Sequence, residues 1–183
     1  MNPVITVGGL HGTGKSSVAN RIAEHFNLRR ISAGQIFRRL AAEKDMSLEE
    51  FSRYAEKNED VDRQLDETLR IEAQKGDVVI DGQLAGWMAG EKADLKILLT
   101  APLEVRVQRI ADRDDIPYEE ARRETVVREG SEGARYQEYY GIDISDVSIY
   151  DIVLNTAKYD LDGVVSVLIS AITTYFQHSD QQS

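Results

Sequence analysis

Residues 9–16 constrain the fold more than any other part of the chain. They read Gly-Leu-His-Gly-Thr-Gly-Lys-Ser and fit the pattern G-x-x-x-x-G-K-[ST]. In such a loop the backbone N–H groups point inward around a phosphate, and the glycines permit the tight turn and the close approach. The pattern lies between a short, β-branched apolar segment, Val4–Gly8, and an amphipathic segment, Lys15–Phe26. The sequence therefore predicts a strand, a loop that binds the phosphates of a nucleoside triphosphate, and a helix.

The residue types in this loop are those that bind ATP together with Mg²⁺. ATP is the expected phosphoryl donor, and Mg²⁺ is the expected cofactor. The N-terminal end of the following helix adds positive potential at the phosphates. Lys15 is expected to bridge the β- and γ-phosphates, and the Ser16 hydroxyl is expected to coordinate Mg²⁺. His11 is expected to be structural or solvent-facing, although it belongs to the loop. The residues predicted here to bind ATP are Gly9, Leu10, His11, Gly12, Thr13, Gly14, Lys15, Ser16 and Ser17.

Strands and helices alternate along the chain, which predicts an α/β fold with a five-stranded parallel sheet and helices on both faces. Residues 1–183 are expected to form one domain. Segment 33–75 is too long and polar for a plain crossover and is predicted to be a small helical lobe, in which Ser47 to Glu50 has the form of a capping box. The remaining predicted strands are 28–32, 78–81, 95–100 and 151–155, and the remaining helices are 103–111, 117 to about 129, and 164–176.

Composition excludes several classes of function. The net charge of −10 argues against nucleic-acid polymers as partners, because a phosphate backbone requires clustered positive charge. The chain has 0 cysteines, which excludes disulfides and cysteine-based metal sites and makes a reducing cytoplasm the expected location. No basic leader precedes Val4, and the longest apolar stretch, 164–176, is too short to span a bilayer. No membrane is therefore expected as a partner, and the oligomeric state is left open, with a monomer favoured.

A carboxylate follows the apolar strand 78–80. Asp81 stands where a protein with this kind of phosphate loop holds Mg²⁺, often through a water molecule. The same Asp-Gly pair is also common in ordinary turns. The sequence therefore predicts Asp81 as a metal-binding residue together with Ser16, while the turn remains the alternative.

The region between Ala101 and Tyr140 indicates what kind of acceptor receives the phosphoryl group. A general base is needed for a hydroxyl acceptor, and no segment here resembles a catalytic loop that would supply one. Residues 155–158, Asn-Thr-Ala-Lys, have the wrong spacing for the guanine-reading N-K-x-D segment of a GTPase. A phosphate monoester needs no base, since its oxygen is already anionic, but it needs fixed positive charge. The region contains no lysine but seven arginines, each of which can also pair with a neighbouring acid: Arg106, Arg109, Arg113, Arg122, Arg123, Arg128 and Arg135.

Several segments resemble known kinases. Residues 32–38 resemble the acceptor-binding segment S/T-x-G-D-x-x-R of nucleoside monophosphate kinases, and residues 109–113 are similar to the R-x-x-x-R at the lid entrance of adenylate kinases. Four further stretches resemble the archaeal-type cytidylate kinases, and the matches follow in order over nearly the whole chain. These stretches are 84–89, 101–106, 140–143 and 148–151.

The resemblance implies transfer of the γ-phosphoryl group of ATP to CMP and dCMP. It also implies that segment 33–75 is a lobe that binds the acceptor and that segment 113–135 is a lid. Lys15, Arg113, Arg128 and Arg135 would be catalytic, and Arg109 would lie against the adenine of ATP. The acceptor would be bound by Ser32, Gly34, Arg38, Asp81, Gly82, Gln83 and Glu132.

Spacing supports part of the lid independently, because Arg128, Glu132 and Arg135 fall on one helical face. Glu132 is expected to orient both arginines or to contact the acceptor sugar; an ordinary surface ladder of ion pairs is the alternative. Gly130 and Gly133 are expected to interrupt this helix, either as hinges for closure or as a local break, since each costs about 1 kcal/mol relative to alanine.

Two residues depart from the pattern of the family. Gln35 stands where these kinases usually carry Asp, and Gln83 stands where cytidylate kinases usually carry Arg. The missing cation leaves other acceptors open, UMP and AMP among them. It also leaves open a second class of function, a degenerate kinase that binds nucleotides as a regulator.

Overall fold

The computed structural model describes residues 2–179, which form a five-stranded sheet with the strand order β2-β3-β1-β4-β5. Every neighbouring pair of strands is parallel, so all five carboxyl ends lie at one edge. The predicted fold class is confirmed. The strands are β1 (Val4–Gly8), β2 (Arg29–Ser32), β3 (Val78–Asp81), β4 (Leu95–Thr100) and β5 (Ile152–Asn155).

Helices connect the strands as the sequence predicts, except that the short helix Ala85–Ala89 between β3 and β4 was not predicted. Two short 3₁₀ turns, Gly90–Lys92 and Thr156–Lys158, lie among them. Within the described residues no helix has the length and apolarity that a membrane crossing requires. The helices are α1 (Lys15–Phe26), α2 (Ala33–Glu43), α3 (Leu48–Ala55), α4 (Glu59–Lys75), α5 (Ala85–Ala89), α6 (Leu103–Asp114), α7 (Tyr118–Tyr140) and α8 (Leu161–Ser179).

Alternating side chains of the buried strands divide the core between the two faces of the sheet. Val79 of β3 packs with α1 and α8 on one face. Its neighbours Val78 and Ile80 pack with α4 and α5 on the other. The runs of β-branched residues in these strands are buried on both sides, which explains why they read as continuous apolar segments.

The polar region after β2 forms three helices with a small apolar core of its own. Phe51 is fully buried there and packs against Leu40, Ala55 and Val61. The predicted capping box is confirmed: the Ser47 hydroxyl accepts from the Glu50 N–H at 3.2 Å, and the Glu50 carboxylate accepts from the Ser47 N–H at 2.8 Å. This capped turn starts α3 and orients the lobe beside the carboxyl edge of the sheet.

Helix α7 is the element that departs most from the sequence prediction. It continues without a break from Tyr118 to Tyr140, so the expectation that Gly130 and Gly133 interrupt it is wrong. Neither glycine has a positive φ angle, and a Cβ at position 133 would meet Ile144 Cδ1 at an ordinary 3.6 Å. Both residues adopt plain helical geometry, and the packing of α7 at its two ends outweighs their low helix propensity.

Replacing Gly130 with Ala tests whether this position is a hinge. The residue is exposed and helical, and an added Cβ meets nothing within 4 Å. We expect Gly130→Ala to raise the free energy of unfolding by about 1 kcal/mol, because alanine loses less backbone entropy on folding. Urea unfolding followed by circular dichroism measures the change. A loss of stability would contradict the helical geometry at Gly130. A large loss of turnover would instead support the hypothesis that this position is a hinge.

Candidate active site

Two glycines of the phosphate loop are required by backbone contacts. Gly9 has a φ angle of +136°, and a Cβ there would lie 2.3 Å from the carbonyl oxygen of Leu99. Gly12 has a φ angle of +78°, and a Cβ there would lie 2.5 Å from the carbonyl oxygen of Arg106. Any larger residue would collide with backbone that cannot move aside. The loop therefore lies directly against the connection between β4 and α6.

Lys15 begins α1 and turns back over the loop. Its Nζ donates to the carbonyl oxygen of Leu10 at 2.8 Å, and the Thr13 hydroxyl donates to the same oxygen at 2.8 Å. Burial lowers the pKa of Lys15 to about 8, although the carboxylates of Asp81 and Glu132 oppose that shift. The ammonium group is thus poorly solvated at the place where phosphates would bind.

Asp81, at the end of β3, accepts hydrogen bonds from three side chains of α1 and β2. Its Oδ1 accepts from the Ser16 hydroxyl at 3.0 Å and from the Ser32 hydroxyl at 3.1 Å. Its Oδ2 accepts from Arg30 Nε at 3.0 Å. Parallel register explains the contact, because Ser32 is paired directly with Asp81. Sequence reasoning missed Arg30, although its position two residues before Ser32 places both side chains on one face of β2.

The predicted acceptor-binding residues are brought together beside this carboxylate. A Cβ on Gly34 would lie 3.6 Å from Arg38 Nη1 and 3.9 Å from the Ser32 hydroxyl. A Cβ on Gly82 would lie only 2.7 Å from the Cβ of Ala33, so the β3 loop and the start of α2 are in close contact. The four residues Ser32, Gly34, Arg38 and Gly82 therefore line one part of the carboxyl edge.

Glu132 of α7 joins segment 113–135 to the phosphate loop and to the loop after β3. Its Oε2 lies 2.7 Å from His11 Nε2 and accepts from Gln83 Nε2 at 2.6 Å, while its Oε1 accepts from Arg128 Nε at 2.9 Å. Burial lowers the pKa of His11, in opposition to Glu132. Burial raises the pKa of Glu132, but the hydrogen bonds and charges of His11 and Arg128 hold it well below its ordinary value. An ionised carboxylate thus accepts from the His11 imidazole, an amide and a guanidinium group.

For each of His11 and Glu132, the structure excludes one of the alternatives that the sequence left open. His11 is not solvent-facing, since its half-buried ring contacts Glu132 and lies 2.9 Å from Gln83 Nε2. Glu132 does not bind both arginines. Arg135 instead donates to Asp62 Oδ2 at 2.9 Å and to the Ser131 hydroxyl at 2.9 Å. The partner of Arg135 lies 73 residues away on α4, which spacing along α7 does not indicate.

Arg106 holds the phosphate loop against α7. This buried guanidinium donates from Nη1 to the carbonyl oxygen of His11 at 2.9 Å and to Glu129 Oε1 at 2.5 Å. Its Nε donates to the carbonyl oxygen of Ala101 at 3.1 Å. Glu129 also accepts from the backbone N–H of His11 at 3.2 Å. The sequence counted Arg106 among seven arginines without assigning it a role, and it did not single out Glu129, since neither residue belongs to the loop motif.

The two remaining arginines with proposed roles occupy different surroundings. Arg109 donates from Nη1 to the Thr156 hydroxyl at 2.9 Å and from Nη2 to its carbonyl oxygen at 2.9 Å, with a further contact of 3.3 Å to the carbonyl oxygen of Gly12. It therefore lies between the phosphate loop and the 3₁₀ turn after β5. Arg113 is exposed and pairs with Asp114 at 2.6 Å, so it stands apart from Lys15 and Asp81 in the hydrogen-bond network.

A second group of buried carboxylates lies on α4, facing α7. Asp62 and Asp66 are 6% and 2% exposed, and no sequence motif pointed to either residue. Asp62 pairs with Arg135, whereas neither oxygen of Asp66 has a hydrogen-bond partner with good geometry within residues 2–179. Burial raises the pKa of Asp66 to about 6, despite the neighbouring Tyr140 hydroxyl, which lowers it.

Comparison with known proteins decides the family. Residues 4–158 match the model of the cytidylate kinase-like family. The chain belongs to that family. The cytidylate kinase of Haloarcula marismortui is 48% identical, and the match covers 97% of this chain and 93% of the relative. The cytidylate kinase of Methanocaldococcus jannaschii is 47% identical, and that match covers 92% of this chain and 97% of the relative.

Solved structures support the fold. A gluconokinase from Sinorhizobium meliloti has a TM-score of 0.66 at 15% identity, covering 100% of this chain and 98% of the other. A shikimate kinase from Bacteroides thetaiotaomicron has a TM-score of 0.62 at 15% identity, covering 93% of this chain and 98% of the other. These likenesses concern the fold alone, because the sequences are so different.

The lowered pKa of Lys15 predicts that ATP binding takes up a proton at pH 8.5. At this pH about three quarters of Lys15 is deprotonated when its pKa is about 8, and phosphates beside it raise that pKa again. We expect uptake of up to roughly 0.7 proton, measured by titration calorimetry with a non-hydrolysable analogue in two buffers of different ionisation enthalpy. Lys15→Arg is the control, since arginine stays charged. Equal proton uptake in the wild-type protein and in Lys15→Arg would show that Lys15 is not the group that takes up the proton.

The raised pKa of Asp66 predicts a pH-dependent cost in stability. A carboxyl group whose folded pKa is raised contributes stability that is present below its unfolded pKa and lost as pH rises through the folded value of about 6. We therefore expect Asp66→Asn to raise the free energy of unfolding by about 2–3 kcal/mol at pH 7.5, and by much less at pH 4.5. Urea unfolding at both values measures this difference. The control Glu67→Gln, at an exposed position of the same helix, should show no such dependence on pH. The same change in unfolding free energy at both pH values for Asp66→Asn would contradict the raised pKa of Asp66.

Proposed function

We propose that this protein transfers the γ-phosphoryl group of ATP to CMP and dCMP, giving ADP with CDP or dCDP. The observation that carries the proposal is the likeness to cytidylate kinases of 48% and 47% identity over almost the whole chain. Lys15, Ser16 and Asp81 are all present and in mutual proximity, which favours an active enzyme over a degenerate nucleotide-binding regulator.

The phosphate loop is the proposed ATP site. Its backbone N–H groups and the start of α1 would bind the β-phosphate, and Lys15 would neutralise the β- and γ-phosphates. Lys15 now donates to the Leu10 carbonyl oxygen, so a phosphate oxygen would replace a neutral acceptor with a charged one. Arg109, beside the turn after β5, is the proposed contact for the adenine.

The contact between Ser16 and Asp81 fits Mg²⁺. A hydroxyl and a carboxylate are the oxygen ligands that this ion prefers, and Mg²⁺ usually keeps water and phosphate oxygens as further ligands. Within residues 2–179 no group of three or more His, Cys, Asp or Glu could hold a metal alone, which agrees with a site completed by a nucleotide. The metal would supply charge neutralisation between the phosphates.

The acceptor site is proposed at Ser32, Gly34 and Arg38, with Gly82 and Gln83 across from them. The acceptor phosphate oxygen is already an anion, so the protein needs to hold it in line and neutralise charge rather than remove a proton. Arg30, paired with Asp81 at 2.8 Å, adds a cation at this edge. It supplies positive charge near the place where Gln83 lacks it.

Segment 113–135 is proposed to close over both nucleotides. Its contacts with the phosphate loop run through the polar side chains of Glu129 and Glu132. Arg128 would move from Glu132 to a phosphate, where a charge-assisted contact is stronger and water is excluded. The apolar packing of the segment is concentrated at its N-terminal end, where Ile116, Tyr118 and Ala121 join the cluster of α6, so the remainder can move with little apolar area to separate.

The acceptor is identified by a coupled assay over the common monophosphates. We expect kcat/KM to be higher for CMP and dCMP than for UMP, AMP, GMP or dTMP. Lys15→Ala is the control and should abolish transfer without changing the circular dichroism spectrum, because Lys15 contacts the loop and not the apolar core. A best rate with AMP, or near-normal turnover in Lys15→Ala, would overturn the proposal.

The role of Arg128 is tested by Arg128→Ala. We expect kcat to fall at least about tenfold, since a lost charge-assisted contact is worth roughly 1.5–3 kcal/mol. The melting temperature should barely change, because Arg128 is 45% exposed. The exposed Arg122→Ala on the same helix serves as the matched control. Hydrogen exchange across 113–135 should slow when a bisubstrate analogue binds; equal protection with and without it would mean a static segment.

A further inference from the structure

Helix α4 buries two carboxylates where a helix normally buries apolar groups. Its buried stripe follows positions 62, 66, 69 and 73, which share one face of the helix. The lower half is Leu69 and Ala73, but the upper half is Asp62 and Asp66. Burial of a carboxylate costs several kcal/mol unless it is paired, so an apolar residue would serve a purely structural purpose better.

The two carboxylates differ in their hydrogen-bond and ion-pair partners. Asp62 pairs with Arg135 at 2.9 Å. Asp66 is 2% exposed, and neither of its oxygens makes a hydrogen bond of good geometry in the part of the chain that the structure describes. The Tyr140 hydroxyl lowers the pKa of Asp66. It is also buried and makes no hydrogen bond of good geometry within the described residues. Besides Tyr140, the charged groups that act on Asp66 are Asp62 and Arg70.

The position of Asp66 connects it with the proposed acceptor site. Its neighbours on α4, Leu65 and Leu69, belong to one apolar cluster with Ala33 and Ile36, which lie in the acceptor-binding segment. Tyr136 and Tyr140 of α7 complete the same cluster. Asp66 therefore lies between the segment that would hold the acceptor phosphate and the segment that would close over it.

Two described hydrogen bonds and the apolar packing of Tyr136 and Tyr140 join α7 to the helical lobe. The described hydrogen bonds that join them are Arg135 to Asp62 and Ser131 to Glu56. Both involve side chains that can separate without breaking a backbone ladder. A planar base can then insert where Tyr140 now faces Asp66.

We propose that Asp66 is the specificity-determining residue that reads the base of the acceptor, and that it accepts a hydrogen bond from the exocyclic amino group of cytosine. This inference rests on the proposed function. Cytosine presents an N4 amino donor beside the N3 acceptor, and the Tyr140 hydroxyl can donate to that N3. Uracil presents the O4 acceptor instead, which would face the lone pairs of the Asp66 carboxylate. A site built to accept from an amino group rejects the analogue that lacks it.

The test compares CMP with UMP in the wild-type protein and in Asp66→Asn, at saturating ATP and Mg²⁺. The asparagine amide can present either its oxygen or its nitrogen, so it can serve both bases. We expect the ratio of kcat/KM for CMP to that for UMP to fall at least tenfold, mainly through a higher KM for CMP. Glu67→Gln, on the exposed side of the same helix, should leave the ratio unchanged.

The outcomes separate this inference from the proposed function. An unchanged ratio in Asp66→Asn, with both rates altered equally or not at all, would assign Asp66 a structural role and overturn the inference alone. Failure of the wild-type protein to phosphorylate any monophosphate would overturn the proposed function, and the inference with it. Should Asp66→Asn not fold, Asp66→Ser gives the same measurement with the same expected loss of selectivity.

Discussion

The site depends on how closely the phosphate loop lies against the connection between β4 and α6. Gly9 and Gly12 bring backbone to backbone at distances that no side chain allows. That approach fixes the turn from β1 into α1, and it brings Arg106 to the loop carbonyl of His11. Since β1 is the central strand of the sheet and β4 lies beside it, the loop rests on the buried centre of the sheet.

Three arginines around this loop are already paired with acids, in a chain with a net charge of −10. Arg30 pairs with Asp81, Arg106 with Glu129 and Arg128 with Glu132. A guanidinium group held by a carboxylate is oriented before a phosphate arrives, and exchange of one anion for another avoids much of the desolvation cost. The family resemblance implies phosphate contacts for several arginines, and the structure adds the acids that hold them in place.

The sequence predicted those parts of the site that depend on local patterns. The phosphate loop, the strand ending at Asp81 and the capping box at Ser47 each follow from spacing within a few residues. The sequence could not predict long-range pairs, because nothing in the spacing of α7 indicates Asp62 as the partner of Arg135. The length of α7 was underestimated for a related reason, since its packing, and not its glycines, determines where it ends. The sequence did not single out Asp66, because an aspartate in a charged helix is expected to be solvated unless its burial is known.

Arg106 makes the phosphate loop and α7 thermodynamically dependent on each other. One guanidinium group donates both to a loop carbonyl and to a carboxylate on α7, so a change in either contact alters the other. Linkage then requires reciprocity: whatever factor docking of α7 applies to the affinity of the loop for a nucleotide, that nucleotide applies to the docking equilibrium of α7. Donor binding in the phosphate loop and coverage of the acceptor by α7 would then be two readings of a single coupling free energy.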